Sequence, residues 1–170
     1  DHPKCEFDDT VAHIAVDGNY AGYITIGDEI RPDAANALKE LKKQGVKHIV
    51  MLTGDNACAA EAVVNRLPID RFYADLLPEN KVSIFEKLIW QDKRKGKIAF
   101  VGDGVNDAPV LARADVGVAM GALGSDAAVE TADVVLMNDS LMKMAEAVSI
   151  ARQTRRIIWQ NIILAFAVKG

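Results

Sequence analysis

Asp103, Asn106 and Asp107 fall within five residues of one another in "VGDGVNDAP", directly after the apolar run "AFV". Carboxylates and amides beside an apolar strand are costly unless something compensates them. A hard cation would do so: Mg²⁺ prefers carboxylate oxygens, water and substrate phosphates. Gly102 and Gly104 flank Asp103, so backbone can approach a ligand closely there. Turn hydrogen bonds and a helix cap would account for Asp103 and Asn106 equally well. A second cluster, Thr53-Gly54-Asp55, follows the apolar run "VML". Its hydroxyl and backbone N–H groups, ahead of a helix N-terminus, suit a phosphate, although a simple glycine turn has the same letters. Lys81 stands three residues after Pro78, near a helix start. A cation is disfavoured at that end of a helix, so a bound phosphate would explain its position; so would an exposed surface lysine.

These residues need a scaffold. The stretch at residues 10 to 26 has two alternating runs around Asp17-Gly18-Asn19, which predicts a hairpin. Beyond it, helical patterns alternate with short apolar runs. "RPDAANALKELKKQG" predicts a helix stopped at Gly45, "VKHIVML" a strand, and "NACAAEAVVNRL" a helix with Pro68 just beyond it. "RFYA" predicts a strand, and the segment from Pro78 predicts a helix with Val82, Phe85, Leu88 and Ile89 at helical spacing. "KIAFVG", "DVGVAM" and "DVVLM" predict further strands, with a short helix after Asn106, another over "SDAAVETA", and a long one from Asp139 or Ser140. Continuous apolar strands alternating with helices imply a parallel sheet covered on both faces. In such sheets the carboxyl ends of the strands carry the chemistry. The Thr53 and Asp103 turns therefore belong on one rim.

The 170 residues suffice for one domain with a core, and half of them are apolar. With 20 basic against 24 acidic residues the net charge is −4, which gives no basic stripe for nucleic acid. The cluster Lys93, Arg94, Lys95 and Lys97 predicts a solvated loop after a helix. Cys5 and Cys58 lack metal-site spacing and suit a reducing compartment, and no signal segment is evident at the N-terminus.

The order strand–TGD, Pro-x-x-Lys, strand–GDGxNDxP is far more specific than its parts. With "GDEIRP", "MLTGDN" and "VGDGVNDAP", nearly the whole chain resembles the phosphorylation domain of P-type ATPases, within the haloacid-dehalogenase-like superfamily. The resemblance implies a three-layer α/β sandwich with a mostly parallel sheet, and phosphoryl transfer from ATP with Mg²⁺ through an aspartyl phosphate. By the same resemblance, Asp103 and Asp107 would bind the metal, with Gly104 and Asn106 supporting the site. Thr53, Gly54 and Lys81 would hold phosphoryl oxygens, Asp55 would face the nucleotide, and Asp28 and Arg31 would serve the hinge. Residues 1–27 would be a remnant of the nucleotide-binding domain, residues 28–156 the phosphorylation domain, and residues 157–170 the start of a transmembrane helix.

The family's nucleophile lies in an Asp-Lys-Thr-Gly-Thr segment, and this chain has none. The expectation is therefore a fragment whose central strand and nucleophile lie upstream, partnered by the rest of the same polypeptide and its membrane domain. The fragment alone would be inactive. A soluble phosphatase of the same superfamily would need its own Asp-x-Asp on an early strand, and a non-catalytic truncated module is a further alternative. The tail "IIWQNIILAFAV" has only Gln160 and Asn161 as polar residues and follows Arg152, Arg155 and Arg156. It suits either a helix docked on the core or the entry to a membrane. "WQNIILAFAVK", with Lys169 eight residues after Asn161, resembles the zinc, cadmium and lead branch of heavy-metal pumps. That implies a divalent metal as the transported partner, with Lys169 serving transport.

Overall fold

The computed structural model describes residues 10–26, 29–92, 96–102, 107–121, 126–138 and 140–169. The hairpin comes first. Strands β1 (Thr10–Val16) and β2 (Asn19–Ile26) pair antiparallel. Asp17 and Gly18 take φ of 51° and 78°, the left-handed pair that a two-residue hairpin turn requires. The hairpin leaves Val16, Tyr20, Tyr23 and Ile24 exposed.

Helix α1 (Ala34–Lys43) presents Ala34, Ala37, Leu38 and Leu41 to the interior at helical spacing. It ends where the sequence predicts. Gly45 adopts φ of 89°, and its N–H bonds Lys42 O while the Val46 N–H reaches back to Leu41 O, closing a Schellman motif.

Five short parallel strands follow, separated by helices. β3 (Val50–Leu52) leads to α2 (Ala57–Val64), and β4 (Arg71–Tyr73) leads to α3 (Pro78–Asp92). β5 (Ala99–Gly102), α4 (Ala108–Leu111), β6 (Val116–Met120), α5 (Asp126–Thr131) and β7 (Val134–Leu136) complete the series. The long helix α6 (Met142–Lys169) closes the chain. β3 pairs with β4, and β5, β6 and β7 pair in that order, all parallel. Among the described residues, β3 and β5 share no ladder with each other.

One apolar layer nevertheless runs beneath both sheets. Leu38 and Leu41 of α1 and Met144 and Ala145 of α6 pack with Val118 and Leu136, and Ile49, Ile69 and Val101 join the same cluster. The strand period of two sends the neighbouring residues to the opposite face. There Ala119 packs with Leu111 of α4, Phe100 and Val135. Phe85 of α3 meets Phe100 edge to face at 5.4 Å between ring centroids. The architecture is thus three layers, with α1 and α6 on one side and α3 and α4 on the other.

The amino ends of the strands are held by a repeated device. Asp70, Asp115 and Asp133 each immediately precede a strand. Each donates its backbone N–H to the carbonyl of a residue one strand earlier and accepts that residue's N–H on its carboxylate. The partners are Ile49, Ile98 and Gly117 respectively. Lys42 adds an ion pair to Asp70 and Lys97 one to Asp115, both at 2.6 Å. Lys97 lies in an exposed loop after α3, as expected of the basic cluster, and from there pairs with Asp115; residues 93–95 lie outside the described residues. The Lys42 ammonium, then the Ile49 N–H, holds the Asp70 carboxyl below its ordinary range. Lys97 and then Ile98 do the same for Asp115.

Carboxyls lowered in the folded state stabilise it above the ordinary carboxylate pKa. That contribution is lost as pH falls through the folded values. Thermal stability is therefore expected to be level from neutrality down to about pH 5 and to fall below about pH 4. An Asp70→Asn, Asp115→Asn variant should lie lower at neutral pH and show a shallower acid limb in circular-dichroism melts.

Cys58 is disulfide-bonded, so the reading of both cysteines as thiols suited to a reducing compartment is not what the structure shows. Spacing along the chain does not reveal which cysteines the fold joins. Cys5 lies outside the described residues. Among the described residues, no helix is long and apolar enough to cross a membrane.

Candidate phosphoryl-transfer site

Thr53, Gly54 and Asp55 leave the carboxyl end of β3. The turn is fastened by backbone. The Thr53 N–H bonds Tyr73 O at 2.9 Å, the Leu76 N–H bonds Thr53 O at 3.1 Å, and the Asp75 N–H bonds Asp55 O at 2.8 Å. Thr53 Oγ1 donates to Asp55 Oδ2 at 2.6 Å and accepts the Asp55 N–H at 3.1 Å. Asn56 then caps α2, its Oδ1 accepting the Ala59 N–H at 2.9 Å. The loop that grips Thr53 leads into α3, where the Lys81 N–H bonds Leu77 O. Thr53 and Lys81 are therefore connected through residues 75 to 77.

Lys81 does not point to solvent. Its Nζ donates to Asp107 Oδ1 at 3.0 Å, and the two side chains keep only 17% and 11% of their exposure. Asp107 stands at the N-cap of α4, directly behind the end of β5. Its other oxygen, Oδ2, lies 2.7 Å from where a Cβ on Gly102 would stand. Glycine at 102 is what lets this carboxylate tuck against the strand; any side chain there would collide with it.

Lys81 and Asp107 meet behind the end of β5, while the Thr53 turn leaves the end of β3 and reaches α3 through residues 75 to 77. Asp28, Asp103, Gly104 and Asn106 lie outside the described residues. Arg31 is exposed, and its carbonyl accepts the Ala34 N–H at the entry to α1. Lys169 is the last residue of α6, with its side chain outside the described residues.

Sequence reasoning missed the partnership of Lys81 with Asp107, 26 residues apart, because no local pattern encodes it. It also missed Asp33, whose carboxylate accepts from Ser140 Oγ at 2.6 Å and from the Met142 N–H at 3.2 Å. These bonds, Ser140 first, hold the Asp33 carboxyl below its ordinary range. Asp33 so caps α6 from the far end of the sequence.

The donor chemistry fits Mg²⁺. Asp107 is a hard oxygen donor, buried and charge-compensated by Lys81. Mg²⁺ ordinarily takes one or two carboxylates and completes its shell with water and phosphate. A fixed ammonium beside a carboxylate can hold a phosphoryl group and spread its charge.

Comparison with known proteins gives the same picture. Over all 170 residues the chain is 57% identical to a zinc-transporting ATPase of Synechocystis sp., spanning 23% of that protein's length. Over 161 residues, 95% of the chain, it is 57% identical to a cadmium, zinc and cobalt-transporting ATPase of Bacillus subtilis, again spanning 23% of that protein. The crystal structure of a zinc-transporting PIB-type ATPase in the E2.Pi state superposes with a TM-score of 0.81 at 40% identity, covering 96% of this chain and 26% of that one. The resemblance to zinc- and cadmium-transporting P-type ATPases therefore runs the length of the chain. The haloacid dehalogenase-like hydrolase family model matches residues 2–115, taking in the hairpin, the Thr53 turn, Lys81 and Asp107. Its sheet, its rim and this match together make the chain a member of the haloacid dehalogenase-like hydrolase family.

Proposed function

We propose that this chain forms the phosphorylation domain of an ATP-driven exporter of a divalent soft metal, Zn²⁺ or Cd²⁺ before Cu⁺, with Pb²⁺ in the same class. The observation that carries the proposal is that β3 and β5 are each paired on one side only among the described residues, with the Thr53 turn following β3 and the Lys81–Asp107 pair behind the end of β5. A further parallel strand from the same polypeptide, seated between them, would deliver an aspartate beside the Thr53 turn. Its carboxylate oxygen would bond to the γ-phosphorus of ATP as the bond to the β–γ bridging oxygen breaks and ADP leaves. Lys81 and the Thr53 turn hold the phosphoryl oxygens through that displacement. Thr53 must turn its hydroxyl proton from Asp55 to the phosphate, which leaves Asp55 free to meet the nucleotide side. Asp103 and Asp107, supported by Gly104 and Asn106, would hold Mg²⁺, which would supply charge neutralisation.

The remaining parts follow the same reading. Residues 1–27 are the remnant of a nucleotide-binding domain. An isolated two-stranded hairpin is marginal in water, and the exposed Val16, Tyr20, Tyr23 and Ile24 suit further strands beside it. Residues 28–156, entered through Asp28 and Arg31, form the phosphorylation domain on the cytoplasmic side of the membrane. From residue 157, α6 runs on into the bilayer towards Lys169. A lysine there is not a copper(I) ligand and suits a role beside a divalent ion.

The test uses the full-length transporter. Its ATPase should be stimulated by Zn²⁺, Cd²⁺ or Pb²⁺, and it should form an acid-stable, hydroxylamine-sensitive phosphoenzyme. The 170-residue chain with ATP and Mg²⁺ should form none. Labelling of an aspartate within this chain would overturn the assignment of the nucleophile. Stimulation by Cu⁺ and by none of the divalent ions would overturn the cargo.

A further inference from the structure

Helix α6 has 28 residues, about 42 Å of rise. Its first turns pack on α1 and the sheet through Met142, Met144, Ala145 and Val148. From residue 151 to 168 every residue is exposed. This projecting part is divided along its axis. Arg152, Arg155 and Arg156 come first, then Ile157, Ile158, Ile162, Ile163, Leu164, Phe166 and Val168, all exposed. Trp159 lies within one turn of the boundary.

Among the described residues the arginines are also unneutralised. Glu146 is the last carboxylate in the sequence and is engaged by Lys143 at 2.7 Å. In neighbouring α1, Lys42 pairs with Asp70 and Lys43 with Glu40. No carboxylate among the described residues pairs with Arg152, Arg155 or Arg156. The guanidinium of Arg152 lies over Gly45, at the carboxyl end of α1. With Trp159, Gln160 and Ile163 the three arginines lie along a single exposed face of the helix. Guanidinium groups bind phosphate in a forked geometry, and tryptophan favours the level of lipid headgroups.

We propose that Arg155 and Arg156, with Arg152 and Trp159, form a binding site for the headgroups of anionic phospholipids at the plane where α6 meets the bilayer. This rests on the reading that α6 enters a membrane and adds a ligand to it. The unneutralised charge, the immediate start of the apolar stretch and the tryptophan between them fit a lipid surface better than a free anion. The site would bias the domain towards membrane regions rich in phosphatidylglycerol or phosphatidylserine.

The experiment measures binding of the 170-residue chain to vesicles of phosphatidylcholine alone and of phosphatidylcholine mixed with phosphatidylglycerol. Trp90→Phe leaves Trp159 as the reporter, and brominated lipid reports its depth by quenching. Wild type should prefer the anionic vesicles by on the order of tenfold. The Arg155→Gln, Arg156→Gln double variant should lose most of that preference while keeping its affinity for phosphatidylcholine and its Trp159 quenching. Quenching in both vesicle types without any anionic preference would overturn the headgroup site and leave membrane entry standing. Absence of quenching in either would overturn membrane entry itself, and the site with it. Loss of the preference to inorganic phosphate, but not to chloride at equal ionic strength, would assign the arginines to a free anion and overturn the lipid assignment.

Discussion

In the full-length transporter, Lys81→Met is expected to lower the rate of phosphoenzyme formation by a factor on the order of a hundred. Two effects combine. The phosphoryl group loses a positioned cation, and Asp107 loses its charge partner in a place where its side chain keeps 11% exposure. A buried carboxylate left without its partner costs about 3–5 kcal/mol. Asp107→Asn should be about as damaging, and the double variant no worse than either single one, because the two side chains act as a unit. Rapid-quench labelling with radioactive ATP measures all three. If Lys81→Met keeps its labelling rate within a few-fold of wild type, the lysine is a structural tie and no part of the phosphate site.

Leu111→Ala is expected to cost the domain about 3 kcal/mol of stability. Leu111 retains 1% of its exposure and packs against Ala119, Phe100 and Val135. α4 is a single turn, so it has no helical stability of its own and depends on this burial. The same turn begins at Asp107, and a cavity beneath it loosens the carboxylate that holds Lys81. Urea unfolding should show the loss, whereas Ile158→Ala, on the exposed part of α6, should change the midpoint little. Equal losses from the two variants would contradict the packing described for α4.

Much of this fold is legible because its signals are local. Apolar runs between helical patterns mark the parallel strands, Pro78 opens α3, Gly45 closes α1, and Asp17-Gly18 turns the hairpin. Parallel strands put the Thr53 turn and the turn after β5 at carboxyl ends, although Asp103 itself lies outside the described residues. What escapes the sequence is side-chain partnership across the fold. Asp107 reads as a metal ligand, yet its Oδ1 is held by Lys81, and nothing near either residue encodes that bond. The aspartates at the strand entries escape for another reason. "IDRFY", "ADVGVAM" and "ADVVLM" repeat an acidic residue before a strand, but an isolated Asp ahead of valine looks like ordinary loop chemistry. Its role emerges only when the preceding strand supplies the N–H. The disulfide at Cys58 is of the same kind, a pairing that spacing does not announce.

The bond from Ser140 to Asp33 has a mechanical meaning. Asp33 ends the segment by which the chain enters α1, and Ser140 begins the approach to α6, so the two ends of the domain share one pivot. Helix α6 is fixed there by two bonds to Asp33 and by the packing of Met142, Met144, Ala145 and Val148, and it is exposed from residue 151 to residue 168. That exposed part is an arm of about 27 Å, and a rotation of about ten degrees at its base would sweep the tip through about 5 Å.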